Sequence, residues 1–241
     1  MGLHNTLIVF VDELRKSIKL LALAILGTTV VVFFFSPHLL EFVQSHLAGK
    51  LDVAGYSAGK LYFFSVAGPF LAHVKLALFM TLYGMMPWIM AILWKALGKP
   101  FGVEGMQLAY FVIFTSLLFY IGTLFCYYVT LPYGIEFLLG FGSEQLKPMI
   151  SVGRFVNFTT LFILAFGVIF ELPIFMVFAA KTGICPRSFF ESNRRYALLL
   201  IAITAALLTP TPDIFNMALM AGPLYVLYEA GIVILIVMRI R

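Results

Sequence analysis

The stretch Ala165-Phe-Gly-Val-Ile-Phe-Glu-Leu-Pro-Ile-Phe175 decides the fold. It lies in a long apolar run, Phe155 to Ala180, and carries a carboxylate, Glu171, well inside that run. A bilayer crossing needs about 20 apolar residues, so the run is long enough to span. A charged side chain near mid-membrane costs at least about 2.5–3.5 kcal/mol on insertion scales. Compensation must come from a protein-facing position, a water-filled cavity, a partner or protonation. Arg154, Asn157, Thr160, Leu164, Gly167 and Glu171 recur at steps of three and four, so they share one helix face. All but Leu164 are polar or small. The stripe therefore faces protein or a wet concavity, while the other faces meet lipid or packed apolar side chains. Pro173, two residues on, weakens the local hydrogen-bond ladder. Intramembrane carboxylates mark functional sites by default. The plain alternative is a buried Glu that only pins two helices together.

Composition agrees with a membrane setting. The chain has 241 residues, 62% hydrophobic and 11% charged, with 26 Phe and a mean hydropathy of +1.04. Soluble domains are about 45–50% apolar and about 25% charged. Several apolar runs approach 20 residues, which favours helices over the shorter alternating strands of a barrel. The expected fold is therefore all-α and integral to the membrane, a single domain over residues 1–241. The net charge of +5 reflects topology and points to no nucleic-acid partner. Cys126 lies in an apolar run and Cys185 in a polar loop, so no disulfide is expected. The first apolar run starts late and is followed by further spans, unlike a cleavable signal peptide.

Six spans are expected, at about 20–35, 69–94, 106–129, 154–180, 196–208 and 214–238. Residues 1–19 read as an amphipathic surface helix, with Leu3, Leu7, Phe10, Leu14 and Ile18 on one face. Ser36-Pro37 should close the first span, and a short amphipathic piece, Leu39, Leu40, Val43 and Leu47, should follow. Pro69 suits a first helical turn, Pro87 should kink the second span, and Lys75 can snorkel. Pro132 should close the third span. The fifth span is short, about 20 Å against a hydrocarbon core of about 30 Å. The sixth is interrupted by Gly222-Pro223 and carries Glu229. A short span beside a broken one suggests local thinning or a cavity.

Six spans put both termini on one side. That side would hold eleven Lys and Arg: Arg15, Lys16, Lys19, Lys95, Lys99, Lys181, Arg187, Arg194, Arg195, Arg239 and Arg241. The other would hold five: Lys50, Lys60, Lys75, Lys147 and Arg154. The positive-inside rule makes the richer side cytoplasmic.

Enzyme chemistry is not indicated. Gly55-Tyr-Ser-Ala-Gly59-Lys60 has the wrong spacing for a phosphate loop. There is no His-Glu-x-x-His metal motif. The four histidines, His4, His38, His46 and His73, lie at or outside span ends, where none can serve an intramembrane Ser as base. No metal or cofactor is expected. What remains is a set of acids on a polyspanning scaffold. Glu13 and Glu104 fall on the basic side, and Glu171, Asp213 and Glu229 in or at the edge of the membrane. Guanidinium and carboxylate pair bidentately, so Glu13 and Glu104 could grip arginines; from spacing alone Glu104 reads more readily as an ordinary solvated charge, and Glu13 fits either role. Asp213 could simply cap the sixth span, and Glu229 could pair with a neighbouring helix. The polar entry Thr209, Asp213 and Asn216, beside a short fifth span, suggests a partner-binding edge, because polar groups exposed to lipid need partners.

The residues resemble the TatC family, the polytopic subunit of the twin-arginine protein translocase. The resemblance is carried by five blocks in order along nearly the whole chain. They are Ser65-Val-Ala-Gly-Pro-Phe70 with Lys75-Leu76, Leu117-Leu-Phe-Tyr-Ile-Gly122 with Tyr127–Pro132, Phe166-Gly-Val-Ile-Phe-Glu-Leu-Pro173, Leu208-Thr-Pro210 with Pro212-Asp213, and Glu229-Ala-Gly231. Glu13-Leu14-Arg15-Lys16 is similar to the family's amino-terminal Glu-Leu-Arg element, Glu104 matches the acid of its first cytoplasmic loop, and Glu171 matches its membrane-embedded acid. The resemblance implies a non-enzymatic receptor core with six helices in a concave bundle. Glu13, Arg15 and Glu104 would receive twin-arginine signal peptides. TatA- and TatB-like single-span subunits would pack on spans 5 and 6, near Thr209, Asp213, Asn216 and Met217. The complex would be oligomeric, would sit in a bacterial or archaeal cytoplasmic membrane, and would pass folded precursors on the proton-motive force. The chain departs from the family at Phe10-Val11, at Ser17, at Gly105-Met106 where a basic pair is usual, at Met217 where a polar residue is usual, and at His46 in place of an outer-loop proline. Read without the resemblance, Glu171 also fits a proton-coupled small-solute transporter. Such transporters usually show repeat symmetry, which is not visible here.

Overall fold

The computed structural model describes residues 3–53, 62, 65–139, 151–208 and 214–239. These residues form helices: α1 (Leu3–Val53), α2 (Gly68–Gly84), α3 (Met86–Gly98), α4 (Met106–Phe125), α5 (Leu131–Leu139), α6 (Val152–Phe170), α7 (Leu172–Lys181), α8 (Arg187–Ser192), α9 (Arg194–Leu208) and α10 (Ile214–Val237). No strand occurs among the described residues; an isolated parallel bridge joins Tyr62 to Ser151. Among the described residues, four stretches are long and apolar enough to cross a bilayer: Ile18–Val43, Met106–Glu136, Val152–Lys181 and Met220–Val237. Gly68–Gly84 and Met86–Phe101, bent by 57°, make a fifth if counted as one span. Helix α9 has 15 described residues, up to Leu208.

Prolines shape the helices in two ways. Pro69, Pro87 and Pro173 each sit in the first turn of a helix, α2, α3 and α7, where a missing N–H costs least. Pro87 thus marks the bend at Met85, and Pro173 marks the break at Glu171, both as expected. Three other prolines do not stop their helices. Pro37 cannot donate to the Phe33 carbonyl, but the Ser36 hydroxyl donates to that oxygen at 2.7 Å. The freed acceptor is satisfied inside the helix, as a lipid setting demands. The expected stop at Ser36-Pro37 is therefore replaced by one 51-residue helix that absorbs both amphipathic pieces. Before Pro132 the chain widens into a π-helical turn, Cys126–Thr130, and so continues into α5 instead of ending. Pro223 lies inside an unbroken α10, which corrects the expected interruption at Gly222-Pro223.

Chain direction gives the bundle two ends. At one, α3 ends, α4 begins, α7 ends, α9 begins and α10 ends; this end carries Lys95, Lys99, Lys181, Arg187, Arg194, Arg195 and Arg239 and is called the basic face. At the other, α2 and α6 begin, tied by the Val152 N–H donating to the Tyr62 carbonyl at 2.9 Å. The chief contacts are α1 with α2, α2 with α6, α4 with α6, and α7 with α10. Close approach of α4 and α6 depends on two glycines. A Cβ on Gly167 would lie 2.5 Å from the Phe119 ring, and one on Gly122 would lie 2.5 Å from that of Phe170. Small residues at such crossings let membrane helices touch.

Candidate functional site

The turn carrying Glu104 is tightly built. Gly98 packs so closely that a Cβ there would lie 2.6 Å from the Val103 carbonyl oxygen, and the Val103 N–H returns to the Gly98 carbonyl at 3.0 Å. A 3-10 turn, Lys99–Phe101, leads into Gly102 at φ 68°, and Gly105 follows at φ 60°. Both conformations are left-handed and favour glycine. Val103 is buried and anchors the turn, while Glu104 beside it is exposed. The glycine at 105 is thus demanded by the backbone. Helix α1 packs against α3 and against the 3-10 turn. Its far half meets the π turn, where the Tyr127 hydroxyl donates to the Phe42 carbonyl at 3.3 Å. The amino-terminal half of α1, which includes Glu13 and Arg15, therefore runs past the turn that leads to Glu104.

Within the membrane, the stripe of α6 has three environments. Arg154 and Asn157 are exposed, and Asn157 Oδ1 lies 3.5 Å from Lys75 Nζ on α2. Thr160 and Leu164 line an apolar concavity of about 210 Å³ between α1, α2, α4 and α6, whose walls include Val43, Met80, Tyr83 and Tyr127. Gly167 and Glu171 are buried against protein. Glu171 is 1% exposed, and its Oε1 has no hydrogen-bond partner among the described residues. It occupies the residue between α6 and α7, where Pro173 cannot return an N–H to the ladder. On the other side α10 comes close: a Cβ on Gly231 would lie 3.4 Å from the Pro173 Cα. Glu171 is thus a buried acid at a helix break.

Glu229 does pair with a neighbouring helix. Arg194 Nε of α9 lies 3.2 Å from its Oε1, and the Tyr225 hydroxyl donates to the same oxygen at 3.0 Å. Tyr225 and Glu229 are four apart, so they lie on one helix face; that spacing was readable, whereas the partner Arg194 was not. Of the residues expected at the partner edge, Thr209 and Asp213 lie outside the described residues. Asn216 falls in the first turn of α10, and Met217, next to it, is half-buried. No group of three or more His, Cys, Asp or Glu that could hold a metal ion occurs among the described residues.

Residues 9–223 match the family model described as Sec-independent protein translocase protein (TatC). This chain belongs to the TatC family. A relative named Sec-independent protein translocase protein TatC from Carboxydothermus hydrogenoformans is 32% identical over 95% of this chain and 92% of its own length. One of the same name from Campylobacter jejuni is 33% identical over 95% of this chain and 92% of its own length. The crystal structure of a twin-arginine translocase receptor, TatC, in DDM superposes with a TM-score of 0.79 at 27% identity, covering 93% of this chain and 98% of that one. Membership makes this TatC-family protein a component of the Sec-independent protein translocase and not an enzyme. It replaces the small-solute transporter as the reading of the chain.

Proposed function

We propose that this TatC-family chain is the receptor core of a twin-arginine translocase. The observation that carries the reading is Glu104, exposed on a turn fixed by three glycines, beside the helix that includes Glu13 and Arg15. Two carboxylates near one membrane face suit a pair of guanidinium groups, each able to donate two parallel hydrogen bonds. The arginines of a precursor's signal peptide dock there, and its hydrophobic part lies along the concavity between α1, α2, α4 and α6. TatA- and TatB-like single-span subunits pack along α9 and the start of α10, where a 15-residue helix leaves the edge short of the bilayer thickness. Thr209, Asp213, Asn216 and Met217 belong to that edge. Folded cargo then crosses on the proton-motive force. Export provides the test. In cells whose own TatC is deleted but whose single-span subunits remain, this chain is expected to restore export of a folded reporter carrying an Arg-Arg leader, and a Met217→Cys variant to crosslink to a single-span subunit. Export of a Lys-Lys leader to the same level, or crosslinks to lipid reagents alone, would count against the reading.

The basic face is read as cytoplasmic, with six spans, α9 included, and both termini on that side. The support is the concentration of Lys and Arg there. Reporter fusions after Gly142 and after Arg187 are expected to report opposite sides of a bacterial inner membrane. The same side for both overturns the topology.

A further inference from the structure

An apolar groove of about 470 Å³ opens between α4, α7 and α10, and it shares no lining residue with the concavity between α1, α2, α4 and α6. Phe111, Phe114, Val177 and Ile234 form its walls, and Gln107 and Lys181 stand at its mouth. The mouth lies at the basic face, because α4 begins there and α7 and α10 end there. Lys181 is the last residue of α7 and is exposed, with its Nζ 5.8 Å from the Phe111 ring centroid. No carboxylate pairs with it among the described residues. Arg239, just past α10, adds a second exposed cation at the same end. The groove therefore joins an apolar channel at membrane depth to positive charge at the interface.

We infer that this groove binds an anionic phospholipid, its phosphate on Lys181 and one acyl chain against Phe114, Val177 and Ile234. Charge and depth together select this occupant. A soluble anion would meet Lys181 but leave the apolar walls bare. An apolar helix from a partner would fill the walls but bury an unpaired ammonium, which is costly. A lipid with an anionic head satisfies both at once, and basic pockets between spans on the cytoplasmic side suit such heads. The Gln107 amide is placed to donate a further hydrogen bond to a phosphate or ester oxygen. The cation–π contact with Phe111 holds the ammonium at the mouth without neutralising it.

Trp94 gives a local probe, because its ring stacks on Phe111 with centroids 4.9 Å apart. The chain has two tryptophans, and Trp88 is exposed, so W88F leaves Trp94 as the sole tryptophan, excited selectively at the red edge where tyrosine does not absorb. The experiment uses full-length W88F protein in phosphatidylcholine nanodiscs doped with brominated phosphatidylglycerol or brominated phosphatidylcholine at equal low mole fraction. The glycerol lipid is expected to quench Trp94 with roughly fivefold preference, the effect of about one basic residue near an anionic surface. K181Q should erase that preference without changing quenching by phosphatidylcholine, and K181R should keep it. Equal quenching by both lipids in the parent would mean ordinary annular lipid and overturns the proposal. So does a preference that survives K181Q, or one that free glycerol phosphate competes away, which would assign the site to a soluble anion. Loss of all quenching when a single-span subunit is added, with no lipid preference beforehand, would give the groove to a protein helix instead.

Discussion

Gly167→Leu is expected to prevent the bundle from assembling, and Gly167→Ala to lower its stability by about 1–3 kcal/mol, the usual range for overpacking a closed core. The reason is how closely α4 and α6 approach. A Cβ on Gly167 would stand 2.5 Å and 2.7 Å from Phe119 ring carbons and 2.7 Å from the Thr123 methyl. Phe119 has nowhere to go. It is wholly buried, with Tyr83 and Tyr120 rings at 5.9 Å and 5.7 Å. The crossing is also clamped from the other partner, since Gly122 of α4 meets the Phe170 ring of α6. A leucine needs space that neither helix can yield without separating, and separation would uncover Glu171 one turn further on. The measurement is thermal unfolding of detergent-solubilised protein, read by intrinsic fluorescence and by loss of a monodisperse chromatographic peak. Gly153→Ala, on the same helix with nothing within 4 Å of its Cβ, controls for helix propensity alone. Equal behaviour of Gly153→Ala and Gly167→Ala would show that the crossing is not closed at Gly167.

Much of this was legible in the order of residues, and two of the misread prolines have related causes. The polar and small stripe of α6 predicted an inward face, and Thr160, Gly167 and Glu171 are buried. Pro69, Pro87 and Pro173 were read correctly because each starts a helix, where the lost donor matters least. Pro37, Pro132 and Pro223 were misread as stops or interruptions. Whether a proline ends a membrane helix depends on what satisfies the carbonyl one turn earlier. At Pro37 that group is the Ser36 hydroxyl, and at Pro132 the helix widens to a π turn. The acids divide in the same way. Burial of Glu171 followed from its depth in an apolar run. The ion pair of Glu229 with Arg194 required knowing that α9 docks on α10, which no spacing within either helix reveals. The departure at Gly105 was visible in the residues, whereas the positive φ that calls for glycine there was not.

Glu104→Ala is expected to weaken binding of an Arg-Arg signal peptide roughly tenfold, and addition of Glu13→Ala to bring the loss to roughly a hundredfold. Charge-assisted hydrogen bonds contribute about 1.5–3 kcal/mol each, and Glu104 starts exposed, so the single variant belongs at the lower end. The turn itself should survive, because Val103 and the glycines hold it and the Glu104 side chain does not. Glu104→Gln keeps the shape and loses most of the charge-assisted binding. A Lys-Lys peptide should bind poorly to the parent, since an ammonium is a point charge and cannot match two carboxylate oxygens in parallel. Arg15 acts differently: as a cation on the same helix it orients the amino-terminal element and cannot itself hold an arginine. Glu171→Ala separates binding from passage. Glu171 is buried between α6 and α7, beyond reach of an arginine docked at Glu104, so peptide affinity should stay within about twofold, well below the 1.4 kcal/mol that a tenfold change represents. Export of a folded reporter should nevertheless fall, because polar groups buried inside a span mark functional positions and Glu171 is the buried carboxyl at this helix break. The measurements are peptide affinity of solubilised protein and export in cells, for each variant in parallel. Equal affinity for Arg-Arg and Lys-Lys peptides in the parent, or no loss in Glu104→Ala and Glu13→Ala alike, would mean that the chain's departures at Phe10, Ser17 and Gly105 have moved recognition away from these acids.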